Sequence, residues 1–210
     1  MKKSAFTSQL MVLKSLDNNA NNNQRLIINS ATAEDTKAIS RVLVQGFYNF
    51  PSFANWIYPI LKFTINEDLR YRIRSQSPLY RCFVAKLAPL DTSITTQQDS
   101  ELMVVGTVEI ALRSPSIWST NLQCPYISNL AVAQDFRRLG IARQLLAKCE
   151  ETALDWGYPE TRLHVLDSNN AAKQLYSANG YHIAQIEVNW GNLWFNYSPR
   201  LLLKKHIQTS

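Results

Sequence analysis

The sequence lacks any long apolar stretch, since no run approaches the roughly 18 residues that a membrane-spanning helix requires. It also lacks internal repeats. Of its 210 residues, 46% are nonetheless hydrophobic and 18% are charged, which is ample for a packed core. Because chains of this length usually form one domain, we expect a single folded domain over residues 25–210 and no membrane partner.

A convincing signal peptide is absent from the beginning of the chain. Residues 1–24 are rich in Asn and Ser, and their one apolar patch, Leu10–Leu13, is short and has polar flanks. We therefore expect a disordered leader. A remnant of an organelle-targeting segment is the alternative.

Cysteine is scarce, and its spacing matches no metal site. The three cysteines are Cys82 in a predicted strand, Cys124 in a predicted loop and Cys149 on the apolar face of a predicted helix. We expect Cys82 and Cys149 to be buried and reduced, and we predict neither a metal nor a cysteine nucleophile. His164 and His182 lie in predicted strands, where packing or surface roles are the commonest.

Glycine is also scarce, with six residues, and neither common phosphate-binding loop is present. One short segment nevertheless predicts an anion site: Arg137 to Ala142, between the apolar run Tyr126–Val132 and an amphipathic segment. The first backbone N–H groups of a helix lack intrahelical partners, and the helix dipole makes that end positive. Gly140 would let the backbone approach a phosphate, and Arg137 and Arg138 would add charge. We therefore predict a pyrophosphate-binding turn.

The segment after Gly140 has helical periodicity. Its apolar residues recur at four-residue steps or close to it, namely Ile141, Leu145, Cys149, Ala153 and Trp156. This stripe predicts a helix that packs flat on a sheet with its N-terminus facing a ligand. We expect Gly157 to end the helix.

A second motif follows at a distance. The apolar strand Arg162–Leu166 leads to the capping residues Asp167, Ser168 and Asn169, then to a helix that Gly180 ends. From Asn169 to Tyr181 the pattern is N-x-x-A-x-x-L-Y-x-x-x-G-Y, and Arg137 to Ala142 reads R-x-x-G-x-A. In this order, the two motifs resemble the signatures of the GNAT superfamily of N-acetyltransferases. The resemblance covers about residues 25–204 and is strongest to the cyanobacterial and plastid branch.

The resemblance implies an α/β (α+β) fold with a mixed, mostly antiparallel central sheet that is splayed in its middle and flanked by helices. From the residues we predict a first strand at Arg25–Asn29, a helix opened by a capping box of Thr32 and Asp35, and a kink or two short helices around Pro59. The other predicted strands are Leu79–Leu87, Leu102–Leu112, Tyr181–Asn189 and Leu193–Lys204. A hairpin turn through Trp190 to Asn192 would join the last two strands.

Acetyl-CoA is the co-substrate that the resemblance implies, lying where the strands of Tyr126 and Leu163 part. Its pyrophosphate would lie on the turn, its pantetheine arm along the backbone of the preceding strand, and Asn169 beside that arm. The residues so assigned are Leu130, Ala131, Val132, Arg137, Arg138, Leu139, Gly140, Ile141, Ala142, Arg143, Asn169 and Tyr176.

Acyl transfer to an amine needs a base, an oxyanion donor and an acid. Tyr176 matches the family tyrosine that protonates the departing thiolate. The backbone N–H of Leu130 would stabilise the oxyanion. For the base we choose Glu109, an acidic residue in an apolar strand, which should face a cleft or solvent. A surface carboxylate on an edge strand is the alternative.

The acceptor follows least directly from the sequence. Aromatic residues fall in the segments that shape the acceptor groove in the family: Tyr48, Phe50, Phe53, Trp56, Tyr58, Trp190 and Trp194. They favour a protein N-terminus or a lysine. A small-molecule amine or a non-catalytic acyl-CoA-binding module are the alternatives. We expect a cytoplasmic monomer or homodimer, or a stromal protein if the source is a photosynthetic eukaryote.

The net charge of +6 raises the alternative of nucleic-acid binding. The basic residues are scattered, however, and no recognition motif accompanies them. The phosphates of CoA are a sufficient reason for a basic bias. We therefore expect no nucleic-acid partner.

Overall fold

The computed structural model describes residues 10–13, 24–47, 58–89, 102–113, 123–187 and 198–207. Its helices are α1 (Thr36–Phe47), α2 (Tyr58–Arg74), α3 (Ile141–Asp155) and α4 (Asn170–Ala178). Its strands are β1 (Leu10–Leu13), β2 (Gln24–Ser30), β3 (Tyr80–Pro89), β4 (Met103–Arg113), β5 (Cys124–Val132), β6 (Glu160–Leu166), β7 (His182–Glu187) and β8 (Arg200–His206).

The described strands form one sheet in the order β1-β2-β3-β4-β5-β6-β8-β7. Strands β5 and β6 are parallel, whereas the pairs β1–β2, β2–β3, β6–β8 and β7–β8 are antiparallel. The prediction of a mixed, mostly antiparallel sheet flanked by helices is therefore confirmed.

Residue contacts divide the chain into two compact units. The first comprises Met1–Ser77, Arg81–Val108 and Leu130–Leu145, and the second comprises Pro78–Tyr80, Glu109–Asn129 and Leu146–Ser210. Large buried side chains of the first unit include Leu26, Ile39, Phe83 and Leu145, and those of the second include Ile110, Leu146 and Leu163. The single-domain organisation stays a prediction.

The start of α1 has the predicted capping arrangement. Asp35 Oδ2 accepts hydrogen bonds from the backbone N–H of Thr32 at 2.9 Å and from its hydroxyl at 3.1 Å. The Nζ of Lys86 lies 2.6 Å from the other carboxylate oxygen of Asp35. The carboxylate therefore fixes the first turn of α1 and ties it to β3.

Two expectations differ from the structure. Pro59 is the second residue of α2, where its missing N–H costs no intrahelical bond, so the prediction of a kink within a helix at Pro59 is wrong. The alternative of two short helices stays a prediction, because residues 48–57 lie outside the described residues. Leu10–Leu13, which we expected in a disordered leader, form β1 and pair with β2. Residues 1–9, 14–23 and the turn at Trp190 to Asn192 lie outside the described residues.

None of the helices in the described part of the chain combines the length and apolarity that crossing a membrane requires.

Candidate active site

The predicted anion-binding turn is part of the first unit. A short 3-10 helix, Gln134–Phe136, follows β5, and the turn then leads into α3 at Ile141. Arg138 has φ of 66° and Gly140 has φ of 77°, so the backbone is left-handed at both residues. The Nε of Arg137 donates to the carbonyl oxygen of Val132 at 3.1 Å. The predicted sequence of strand, turn and helix is confirmed.

The backbone conformation at residue 140, rather than close packing, accounts for a glycine there. A Cβ built at this residue would have no atom of another residue within 4 Å, so packing does not require a glycine here. The positive φ does favour glycine, since other residues adopt it at an energetic cost. The first backbone N–H groups of α3 lie at this exposed turn, and their partial positive charge favours binding of an anion. The geometry fits a pyrophosphate.

The first turns of α3 lie close to β4 because of Gly106. A Cβ at Gly106 would lie 3.2 Å from Ile141 Cγ2 and 3.2 Å from Leu145 Cδ1, which is tighter than ordinary contact. Both side chains are buried, as are Cys149 and Ala153 further along the predicted stripe. The prediction that α3 packs flat through this stripe is confirmed.

In the second unit, β5 and β6 pair over a short distance. Their registered pairs are Tyr126 with Arg162 and Ile127 with Leu163. Beyond them Asn129 has φ of 53°, a left-handed conformation that Asn tolerates better than most residues. The Oγ of Ser128 is buried and has no hydrogen-bond partner among the described residues. The predicted parting of the two strands is therefore confirmed.

Glu109 lies in the interior of the second unit. It is 1% exposed, and β4 has neighbours on both sides, so both the solvent-facing and the edge-strand expectations are wrong. The hydroxyl of Tyr80 donates to Oε2 at 3.0 Å, and Asn129 Nδ2 donates to Oε1 at 2.6 Å. A buried carboxylate needs such donors to remain charged. Its role as a base stays a prediction.

Tyr176 lies on α4 and is also buried. Its ring packs edge-on against Tyr181, with 5.9 Å between ring centroids. Burial, and to a lesser extent Tyr126 and Cys149, raise the pKa of Tyr176 to about 12. The phenol therefore keeps its proton at neutral pH and has one to donate.

Asn169 is the N-cap of α4. Its side-chain oxygen accepts from the backbone N–H of Ala172 at 3.1 Å, which confirms the capping role that its position predicts. The side chain is exposed. Its amide nitrogen can therefore still donate to a ligand.

A hydrogen-bonded chain that we did not predict runs through Tyr126, His164 and Glu187. The hydroxyl of Tyr126 lies 2.7 Å from His164 Nδ1, and His164 Nε2 lies 3.0 Å from Glu187 Oε1. Such a chain can move a proton. A signal was available in β6, where Arg162 and His164 are polar residues on the same face of an otherwise apolar strand.

Two of the three cysteines lie in the environments predicted from the sequence. Cys82 and Cys149 are buried and unbridged, as predicted. Cys124 was expected in a loop but is the first residue of β5, and burial raises the pKa of its thiol. Among the described residues, no group of three or more His, Cys, Asp and Glu could hold a metal ion.

Most of the aromatic residues assigned to the acceptor groove lie outside the described residues. These are Tyr48, Phe50, Phe53, Trp56, Trp190 and Trp194. Tyr58 is the first residue of α2. The groove therefore stays a prediction.

The chain is similar to several acetyltransferases of known sequence. It is 25% identical over 188 residues to GCN5-related N-acetyltransferase 10, chloroplastic, of Arabidopsis thaliana, covering 86% of this chain and 71% of that protein. It is 33% identical over 102 residues to GCN5-related N-acetyltransferase 7, chloroplastic, of the same plant, covering 49% and 37%. It is 30% identical over 115 residues to the thialysine N-epsilon-acetyltransferase of Bos taurus, covering 54% and 62%.

Solved structures share the fold. The PaiA N-acetyltransferase of Thermoplasma acidophilum in complex with coenzyme A has a TM-score of 0.61 at 17% identity, covering 86% of this chain and 98% of that one. The ribosomal-protein-S18-alanine N-acetyltransferase of Escherichia coli has a TM-score of 0.57 at 19% identity, covering 88% and 96%. The model of the acetyltransferase (GNAT) family matches residues 51–181, more than half of the chain. This protein is therefore an acetyltransferase of the GNAT family.

Proposed function

We propose that this enzyme transfers the acetyl group of acetyl-CoA to a primary amine of a protein, either an N-terminus or a lysine. Acetyl-CoA is the co-substrate of the family to which the chain belongs. The observation that carries the proposal is the turn before α3, where Gly140 has φ of 77° and leaves open space at the helix N-terminus. That end of α3 has the backbone donors and the partial charge that a pyrophosphate requires.

The turn would bind the phosphates through its backbone N–H groups and its basic side chains. Arg137 and Arg138 are exposed, and Arg143 is exposed in the first turn of α3. Leu139, Ile141 and Ala142 would contribute backbone groups. The backbone of Leu130, Ala131 and Val132 would pair with the pantetheine arm, and the amide nitrogen of Asn169 would donate to the same arm.

The reaction would use groups that the described residues provide. The acceptor amine must lose a proton before it attacks, and Glu109 is the proposed base. Because Glu109 is 1% exposed, the proton would reach it through water. The backbone N–H of Leu130 would stabilise the oxyanion. Tyr176, neutral at physiological pH, would then protonate the thiolate of CoA.

The chain of Tyr126, His164 and Glu187 is a second candidate for the base. A neutral imidazole held between a phenol and a carboxylate can act as a general base. Its short distances, 2.7 Å and 3.0 Å, support such a relay.

A different acceptor and a non-catalytic role are the two alternatives to this proposal. The similarity to a thialysine N-epsilon-acetyltransferase favours a small amine. A non-catalytic acyl-CoA-binding module would use the same turn without an acceptor. The chloroplastic relatives support a location in the plastid stroma, with the cytoplasm as the alternative.

Acetylation of a peptide library tests the proposal. The enzyme is incubated with acetyl-CoA, and the free thiol of CoA is measured for N-terminal amines, for lysine peptides with blocked N-termini and for small amines. We expect thiol release that depends on a peptide amine. Release with small amines alone would identify a metabolite enzyme. Binding of acetyl-CoA by calorimetry without release on any acceptor would identify the non-catalytic module.

A further inference from the structure

A pocket of about 200 Å³ lies on one face of the sheet in the second unit. Its lining comes from four strands: Arg113 on β4, Cys124 and Tyr126 on β5, Arg162 and His164 on β6, and Arg200 and Leu202 on β8. On three strands the lining residues are two apart, and alternate residues of a strand share a face. The sheet itself therefore builds this pocket.

The pocket carries more positive than negative charge. Arg162 forms an ion pair with Glu160, with 2.7 Å between Nε and Oε1, and the imidazole of His164 lies 3.0 Å from Glu187 Oε1. Arg113 instead lies over the ring of Tyr126, 4.8 Å from its centroid. Within the described part of the chain, neither Arg113 nor Arg200 forms an ion pair with a carboxylate. Arg200 also forms a hydrogen bond with Tyr126. Each guanidinium group has five N–H donors, so both arginines keep donors for an anion.

The pocket also lies at the point where β5 and β6 part. Tyr126 and Arg162 form one of the two registered pairs, and His164 directly follows the other. Two residues beyond Tyr126, the buried hydroxyl of Ser128 has no partner among the described residues. Tyr126 also acts electrostatically on Tyr176, whose pKa it helps to raise. The pocket is therefore near the proposed general acid.

We propose that this pocket binds a carboxylate of the acceptor, so that the enzyme prefers amines with a negative charge close by. A guanidinium group recognises a carboxylate through two parallel hydrogen bonds, which Arg113 and Arg200 can supply. The buried hydroxyl of Ser128, which has no partner among the described residues, can donate a further hydrogen bond. The inference rests on the proposed function. A peptide with an acidic residue beside its reactive N-terminus is the acceptor that it favours.

Matched peptides test the preference. Two C-terminally amidated tetrapeptides differ by Asp or Asn at their second residue, so that charge changes while size is kept. We expect kcat/KM to be about tenfold higher for the Asp peptide, a difference of about 1.4 kcal/mol, because a charge-assisted hydrogen bond is stronger than a neutral one. Equal kcat/KM for the two peptides would overturn the proposal.

Variants assign the preference to the pocket. In Arg113→Gln, Arg200→Gln and the double variant, the Asp peptide should lose its advantage while the Asn peptide keeps its kcat/KM. Arg41→Gln removes an exposed arginine of α1 outside the pocket and should keep the preference. If Arg41→Gln removes the preference as well, general surface charge is responsible and the pocket proposal is wrong.

A binding measurement distinguishes failure of this inference from failure of the proposed function. Should no acceptor be acetylated, the proposed function fails, and calorimetry with the N-acetylated Asp and Asn peptides still decides on the pocket. Tighter binding of the Asp peptide that is lost in the double variant supports it, and equal binding overturns it.

Free amino acids form a second arm of the kinetic assay. A preference for them that also depends on Arg113 and Arg200 supports the pocket and identifies the carboxylate as an α-carboxylate.

Discussion

Asn129 holds Glu109 by a hydrogen bond of 2.6 Å from its side-chain nitrogen, while its own backbone is left-handed with φ of 53°. The residue with the left-handed backbone in β5 is therefore also a donor to the buried carboxylate of β4. Tyr80 donates to the other carboxylate oxygen at 3.0 Å. The backbone conformation of β5 at Asn129 and the hydrogen bonding of the proposed base therefore both depend on this one residue.

The first prediction concerns this carboxylate. If Glu109 is the base, Glu109→Gln should lower kcat about 100-fold and leave the KM for acetyl-CoA unchanged, because a positioned base contributes roughly 10²–10⁴-fold. Steady-state kinetics with a peptide acceptor measure this. Tyr80→Phe is the control, since it removes one donor and keeps the carboxylate. An unchanged kcat in Glu109→Gln, with a lower free energy of unfolding, would restrict Glu109 to a structural role.

The second prediction concerns the proposed acid. Tyr176→Phe should lower kcat by about 100-fold while the Kd for acetyl-CoA changes little, because the ring remains and the proton donor is lost. Tyr181→Phe is a matched control. It removes a buried hydroxyl that lies 3.0 Å from Thr161 Oγ1, and should therefore lower stability by about 1 kcal/mol and leave kcat unchanged. Equal turnover of Tyr176→Phe and the unmodified enzyme would exclude the acid role.

The third prediction concerns stability at alkaline pH. Burial raises the pKa of Tyr176 to about 12, whereas the unfolded chain has the ordinary value near 10. Above pH 10 the unfolded state loses this proton first, so the free energy of unfolding should fall by up to about 1.4 kcal/mol per pH unit until the folded state also ionises near pH 12. Below pH 10 this contribution is fully present.

Chemical denaturation between pH 8 and 12 measures that fall. The decrease should be smaller in Tyr176→Phe, and what remains there reflects Tyr181, whose pKa burial also raises. Identical pH profiles for the variant and the unmodified protein would contradict the burial of the Tyr176 phenol.

The fourth prediction concerns the turn. Gly140→Asp should weaken acetyl-CoA binding by at least tenfold, because it places bulk and negative charge where the phosphates are proposed to bind. Gly157→Asp is the control, since Gly157 has φ of 83°, similar open space and a place at the other end of α3. The two variants share the backbone strain. Calorimetry should therefore show loss of affinity in Gly140→Asp and near-normal affinity in Gly157→Asp, and equal losses would attribute the effect to folding.

Local sequence patterns predicted the turn and the helices around it, and the two family motifs are themselves such patterns. The apolar stripe of α3 and the capping residues Asp35 and Asn169 depend on neighbours within a few turns of chain, which a sequence displays directly. The burial of Glu109 did not follow in the same way. Its donors lie 29 and 20 residues away, and their approach depends on strand order and register.

The basic pocket was missed for a related reason. Its residues extend from Arg113 to Leu202, and the register of β5, β6 and β8 decides that they share a face. Each is unremarkable alone, because an arginine or a histidine in a strand is usually a solvated surface group. Pairing of strands far apart in sequence was the missing information.

The left-handed residue in β5 has a consequence for how the enzyme can diversify. Asn129 has a left-handed backbone, and the compact units divide between Asn129 and Leu130. The pocket proposed for the acceptor includes Cys124 and Tyr126 from the segment before Asn129, whereas Leu130, Ala131 and Val132, which we assign to the pantetheine arm, follow it. If both assignments hold, substitutions that change the choice of acceptor fall in a different segment of β5 from the residues that bind the acetyl donor.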